Sequence, residues 1–120
     1  MNIEQFREFC LKLPEVTEGF PFGGDTLVFK VNNKVFAITD IENFEYVNLK
    51  CDPDYALELR AQYESVQPGY HMHKKSWNSV YANQEIDDNF IYKLTLDSWK
   101  LIVQGMKKVD NDRLFALLGD

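Results

Sequence analysis

The stretch "TLVFKVNNKVFAITD", Thr26 to Asp40, decides the fold. Two runs rich in β-branched and aromatic residues flank Asn32-Asn33. Asparagine tolerates the positive φ that a tight hairpin turn demands, so the spacing predicts an antiparallel hairpin, "TLVFKV" against "VFAITD". "EYVNLK", Glu45 to Lys50, reads as the next strand, and the three together form an antiparallel meander.

Upstream of the hairpin, Ile3, Phe6, Cys10 and Leu13 recur at helical spacing. Asn2 stands as the N-cap with Gln5 three residues on, a capping-box pattern, and Pro14 ends the helix. Between helix and hairpin, Gly19, Pro21, Gly23 and Gly24 mark a loop, with Phe20 and Phe22 expected to pin it to the core. Downstream, Asp52-Pro53-Asp54 opens a second helix whose apolar stripe is Tyr55, Ala56, Leu59 and Tyr63. Gln67-Pro68-Gly69 reads as a turn before a strand near Trp77 to Ala82. Asp87 and Asp88 begin the longest helix, with Phe90, Ile91, Leu94, Ser98, Ile102 and Met106 on one face and Ser98 a gap in it. Gly105 loosens or ends it, and Asp110 is expected to cap a last short helix carrying Leu114, Phe115, Leu117 and Leu118. Helix, three strands, helix, one or two strands, helix: the class is α+β, a two-layer fold with a twisted, mostly antiparallel sheet and its helices on one face.

The 120 residues make one domain, 1–120, long enough to bury a core without staples. Nine Phe, six Tyr and two Trp are the material of that core. The formal charge of −6 argues against a surface that grips nucleic acid all over, because such binding neutralises phosphates with Lys and Arg. Cys10 and Cys51 lie among apolar neighbours and read as buried, reduced thiols; no apolar run is long enough to span a membrane, and the amphipathic start is unlike a signal peptide. The expected location is cytoplasmic and the expected state a monomer.

One interval departs from the acidic background. "PGYHMHKKSWNSVYA", Pro68 to Ala82, lies in a span without a single acid between Glu64 and Glu85. It carries His71, His73, Lys74 and Lys75, interleaved with Tyr70, Trp77 and Tyr81. Aromatic faces stack on bases while lysines contact phosphates, which makes this a candidate nucleic-acid contact. Set against that, a turn and strand with solvated lysines and a core Trp77 would need no ligand. His71-Met72-His73 on a strand would put both imidazoles on one side, and zinc would need a third ligand from Cys51 or an acid elsewhere. Nucleophile elbows, phosphate-cradling loops and His-Glu-x-x-His are all missing, and Asp52, Asp54, Asp87 and Asp88 are explained as caps. The reading carries no cofactor, no metal and no catalytic residue.

The motifs now quoted resemble those of the MmcQ/YjbR family. "EGFPFGGDTLVFKVNNKVFA", Glu18 to Ala37, is similar to its aromatic-Pro-Phe-Gly loop and hairpin. "PGYHMHKKSWNSV" is similar to its second signature, and "IDDNFIYKLTLDSWKLIVQGMKK" to its C-terminal helix. The resemblance implies a frataxin-like (CyaY-like) fold and a DNA-binding label attached to a double-wing arrangement of hairpins. Pro21, Phe22, Gly23, Lys30, Lys74 and Trp77 match motif positions. Members often carry His just before the Trp; here Ser76 stands there and His73 comes earlier, so no fixed histidine role carries over. Frataxin-type iron binding uses an acidic first helix, and this one offers only Glu4 and Glu8.

The expectation is a binding module rather than an enzyme. Its leading form is weak nucleic-acid (DNA) binding through Lys74, Lys75 and Trp77, with Lys34 at the hairpin tip and His71, His73 and Tyr70 beside them. The alternative is a small-molecule or protein-partner pocket around Trp77, lined by Tyr70, His71 and the Phe20-Pro21-Phe22-Gly23 loop. Catalysis comes third.

Overall fold

The structure, a computed structural model, describes residues 1–119. The chain runs α1 (Ile3–Lys12), β1 (Val16–Gly19), β2 (Thr26–Val31), β3 (Lys34–Asp40), β4 (Tyr46–Lys50), α2 (Pro53–Gln62), β5 (Val66–Pro68), β6 (Trp77–Tyr81), α3 (Asp88–Gln104) and α4 (Lys108–Leu118). All strands pair antiparallel in one sheet of order β1-β2-β3-β4-β6-β5. The α+β class holds, as does the hairpin: Asn32 and Asn33 take φ of 47° and 64°. The capping box at Asn2 and Gln5 closes with two bonds of 2.9 Å, and Asp52 and Asp87 cap α2 and α3.

Two strands were read as loop or turn. β1 is a four-residue edge strand, and "VTEG" holds too few apolar residues for periodicity to register. What fixes it lies outside its own segment: it pairs with β2, and Glu18 accepts two bonds from the Arg7 guanidinium of α1, at 2.6 and 2.8 Å. β5 has three residues and ends in Pro68, a residue a sheet tolerates only at its edge. The last helix starts earlier than expected. Lys107, not Asp110, is its N-cap, and Asp110 lies in the first turn, 3.1 Å from Arg113.

Strand alternation divides the sheet. Leu27, Phe29, Ala37, Leu49, Val66 and Val80 face the helices and join Phe6, Ile91, Leu94 and Trp99 in one buried cluster. The register turns Val35, Ile38, Tyr46, Asn48, Ser79 and Tyr81 to the opposite face. Cys10 and Cys51 are buried and unbridged, as read. No helix among the described residues is long and apolar enough to cross a membrane.

Candidate functional site

The face of the sheet turned away from the helices carries a groove of about 530 Å³. Its floor is Val35 and Ile38 of β3 with Tyr46 and Asn48 of β4; its walls are Phe22 from one signature loop and Tyr70, His71 and Met72 from the other. The two motifs, nearly fifty positions apart in sequence, thus meet across one cleft.

The second loop is tied down by backbone and polar contacts. Asn48 donates from Nδ2 to the Tyr70 carbonyl at 3.1 Å, and the Tyr70 amide donates to Ser79 Oγ at 2.9 Å. Ser79 in turn donates to Asn48 Oδ1. Asn48 and Ser79 are buried, so these bonds form where water does not compete and fix the loop over the strands. At the loop's base, the Gly69 amide donates to the Trp77 carbonyl at 2.8 Å. A Cβ on Gly69 would lie 2.9 Å from Trp77 Cβ and 3.0 Å from both Met72 Cβ and the Trp77 carbonyl oxygen. Gly69→Ala is therefore expected to lift the loop and destabilise the protein by about 1–3 kcal/mol. Urea unfolding checks this, and a change under about 0.5 kcal/mol, the scatter of neutral surface substitutions, rules out so close an approach.

The side chains at the groove are aromatic and exposed. Phe22 is 72% and Tyr70 58% accessible, and Tyr70 stands over His71 (ring centroids 4.0 Å apart) and edge-on to Tyr46 (6.4 Å). Tyr46 also meets Tyr81 at 5.1 Å. Phe22, and Phe20 at 44%, do not pin their loop to the core as expected. The glycines beside them, with Gly23 and Gly24 at φ of 75° and 59°, turn the loop outward.

The other anticipated residues are scattered. Phe20 and Pro21 line a separate depression with Lys30. Lys74 and Lys75 are exposed beside Pro53, Asp54, Leu57 and Arg60 of the α2 region. Arg60, unnoticed in the sequence because it lies on a helix, donates to the carbonyls of Lys74 and Trp77 and to Asn78 Oδ1, the last at 2.7 Å. Trp77 is half-buried at the start of β6, outside the groove; Lys34 is exposed at the start of β3. His71-Met72-His73 is loop, not strand, and His71 takes φ of 58°, so strand alternation does not align the two imidazoles. Among the described residues no three His, Cys, Asp or Glu side chains gather at one point. Sequence reading missed Tyr46, Asn48 and Met72. For the first two the signal was present: they alternate with Val47, which faces the core.

The groove's charge is negative where it is charged at all. Asp40 is its only carboxylate, and no Lys or Arg lines it. Burial, then the Tyr81 and Tyr70 hydroxyls and the Asp40 and Glu45 carboxylates, raises the Tyr46 phenol above its ordinary pKa. On the helix side, burial pushes the Cys51 thiol up to about 11, with Asp52 and Asp97 adding to it, and burial raises Cys10 further. Both thiols are kept protonated near neutral pH, away from thiolate chemistry.

Fold and site together define an α+β protein with an aromatic groove on the free face of its sheet. The family model described as YjbR matches residues 11–101, and the chain belongs to the YjbR family. It is 39% identical over 112 residues to the uncharacterised protein YbdF of Escherichia coli O157:H7, covering 92% of each chain. To the uncharacterised protein YjbR of Escherichia coli K12 it is 30% identical over 104 residues, 86% of this chain and 88% of that one. The crystal structure of a Deinococcus radiodurans protein with a DUF419 domain superposes with a TM-score of 0.88 at 33% identity, over 94% of this chain and 87% of that one. A Pseudomonas syringae crystal structure gives 0.73 at 26%, over 84% and 98%.

Proposed function

We propose that the protein is a binding module, not an enzyme, and that its open-face groove takes a small neutral or cationic aromatic molecule. The observation that carries this is the convergence of Phe22 with Tyr70, His71 and Met72 on one cleft. Large apolar side chains left half or more exposed around a concavity gain by covering one another with a ligand. Charge favours a cation: tyrosine faces attract one, the only charged carboxylate there is Asp40, and the whole chain carries −6.

The nucleic-acid reading has less support. Its lysines lie apart from the aromatic groove, in a depression that includes Asp54, and Arg60 is already engaged with loop carbonyls. What favours it is that Lys74 and Lys75 are exposed without an ion pair among the described residues.

Benzyltrimethylammonium titrated into isotope-labelled protein is expected to shift Tyr46, Tyr70 and Ile38 signals. Benzoate is expected to bind at least about fivefold more weakly, a cation–π difference of roughly 1 kcal/mol. The double variant Phe22→Ala, Tyr70→Ala should lose the binding and keep its fold. Equal affinity for both probes, or shifts outside the groove, overturns the reading. Labelled DNA that binds with a log–log salt slope near −2, lost in Lys74→Ala, Lys75→Ala, establishes the nucleic-acid reading in its place.

A further inference from the structure

A second cavity lies on the other side of the sheet, where α2 and α3 diverge. It is a half-open crevice of about 230 Å³. Leu59 of α2, Leu94 and Leu101 of α3, and Leu49 and Val80 of the sheet line it. Of these only Val80, the last residue of the second signature, belongs to a motif, and none lines the groove described above. An apolar cavity of about 150 Å³ already admits benzene, so this space suits an acyl or aryl group rather than a water cluster.

The polar groups in the cavity wall select the ligand's other end. Asn78 is buried and lines the cavity; its Oδ1 is held by Arg60, while its Nδ2 reaches only the Ala56 carbonyl, at 3.5 Å. Asp97 is ion-paired with Lys93 at 2.7 Å. Asp52 caps α2, its carboxylate accepting the Tyr55 amide at 3.2 Å next to the positive end of the helix. Lys100 also lines the cavity and has no ion pair among the described residues; Lys50 lines it too, but the β4 register turns its side chain to the opposite face. Both acids at the rim are engaged; the uncommitted charge is the Lys100 ammonium.

We propose that this crevice binds a small apolar carboxylic acid, with the hydrocarbon against Leu49, Leu59, Val80 and Leu94 and the carboxylate at Lys100. Its preference is opposite in sign to that of the open-face groove, so the two sites are separable in one experiment.

Octanoate, octylammonium and octanol are titrated into protein with labelled Ile, Leu and Val methyls. Octanoate is expected to shift Leu49, Leu59, Leu94 and Val80, leave Val35 and Ile38 unmoved, and bind at least fivefold tighter than octylammonium. Lys100→Glu should remove that preference. Leu101→Trp, at a half-exposed lip position that the fold tolerates, should close the cavity and abolish the shifts, while Phe22→Ala with Tyr70→Ala leaves them unchanged. Shifts confined to Val35 and Ile38, equal binding of acid and amine, indifference to Leu101→Trp, or no methyl shift below the micellar range each overturn the proposal. None of these outcomes bears on binding of benzyltrimethylammonium in the groove.

Discussion

Trp99→Ala is expected to destabilise the protein by about 3–5 kcal/mol, the range for deleting a buried tryptophan ring. Trp99 is 0% accessible and the largest fully buried side chain. From α3 it packs edge-to-face on Phe115 of α4, with centroids 5.9 Å apart, and its Nε1 donates to the Pro14 carbonyl just beyond α1 at 3.3 Å. One ring thus holds three helices together, and the cavity left by alanine is lined by elements that cannot all close in at once. The melting temperature should fall by roughly 10–20 °C for a chain of this size. Trp99→Phe is the informative partner. It keeps a six-membered ring but loses the fused pyrrole edge together with the Nε1 bond, so it should cost about 2–3 kcal/mol. Denaturant unfolding with unchanged m-value reads both. A loss below about 1.5 kcal/mol for the alanine variant, the level of an ordinary substitution, would show that Trp99 is not the joint between the helices.

Trp99 also marks how far the sequence can be read. The stripe chosen for the long helix, Phe90 to Met106, caught Ile91 and Leu94 but passed over Trp99 and Val103, both fully buried. A helix packed on a sheet and on two other helices buries a band wider than one stripe, and periodicity tuned to a single face undercounts it. The central hairpin and the helix starts were legible because their determinants are local: Asn-Asn for the turn, Asn2, Asp52 and Asp87 for the caps. β1 and β5 depend on partners outside their own segments. Glu18 meets Arg7 across the α1–β1 junction, and Val66 finds its place only opposite Val80.

The candidate site was half legible for the same reason. Its two loops announce themselves by aromatic and glycine content, and three anticipated residues, Phe22, Tyr70 and His71, do share a groove. Charge misled where aromaticity did not. A run of acid-free sequence is not a surface patch, because residues next to one another in a loop point to different neighbours. Tyr70 and His71 fold over the sheet while Lys74 and Lys75 turn toward α2. The floor of the groove, Tyr46 and Asn48, was hidden in a strand whose alternation could have given its free face once the core face was known.

Ser98, taken from the sequence as a gap in an apolar stripe, is expected to be among the costliest small residues to replace. Between Phe29 and Lys30 the β2–β3 register slips, so that Phe29 faces Ala37 and Lys30 faces Val35, with Phe36 as the extra residue. On its other side β3 pairs with β4 only from Ala37↔Leu49 onward. Phe36 and Lys50, the next pair in that ladder, do not bond directly. The Ser98 hydroxyl stands between them, donating to the Phe36 carbonyl at 2.6 Å and accepting the Lys50 amide at 2.9 Å. A side chain of α3 thus completes the sheet at the point where the bulge interrupts it. Ser98→Ala removes the bridge and leaves a buried donor and a buried acceptor facing each other across the space of one oxygen. Each unsatisfied group costs about 1–3 kcal/mol, so a loss of roughly 2–4 kcal/mol is expected if the strands keep their separation. The Lys50 amide should then exchange with solvent at least about tenfold faster relative to its neighbours, a factor worth 1.4 kcal/mol of local opening. Retained protection with a loss under about 1 kcal/mol, the net worth of one ordinary hydrogen bond, would mean that β3 and β4 close up and re-form the direct bond. In that case the hydroxyl is a guest in the ladder, and the bulge at Phe36, not Ser98, sets the distance between the strands.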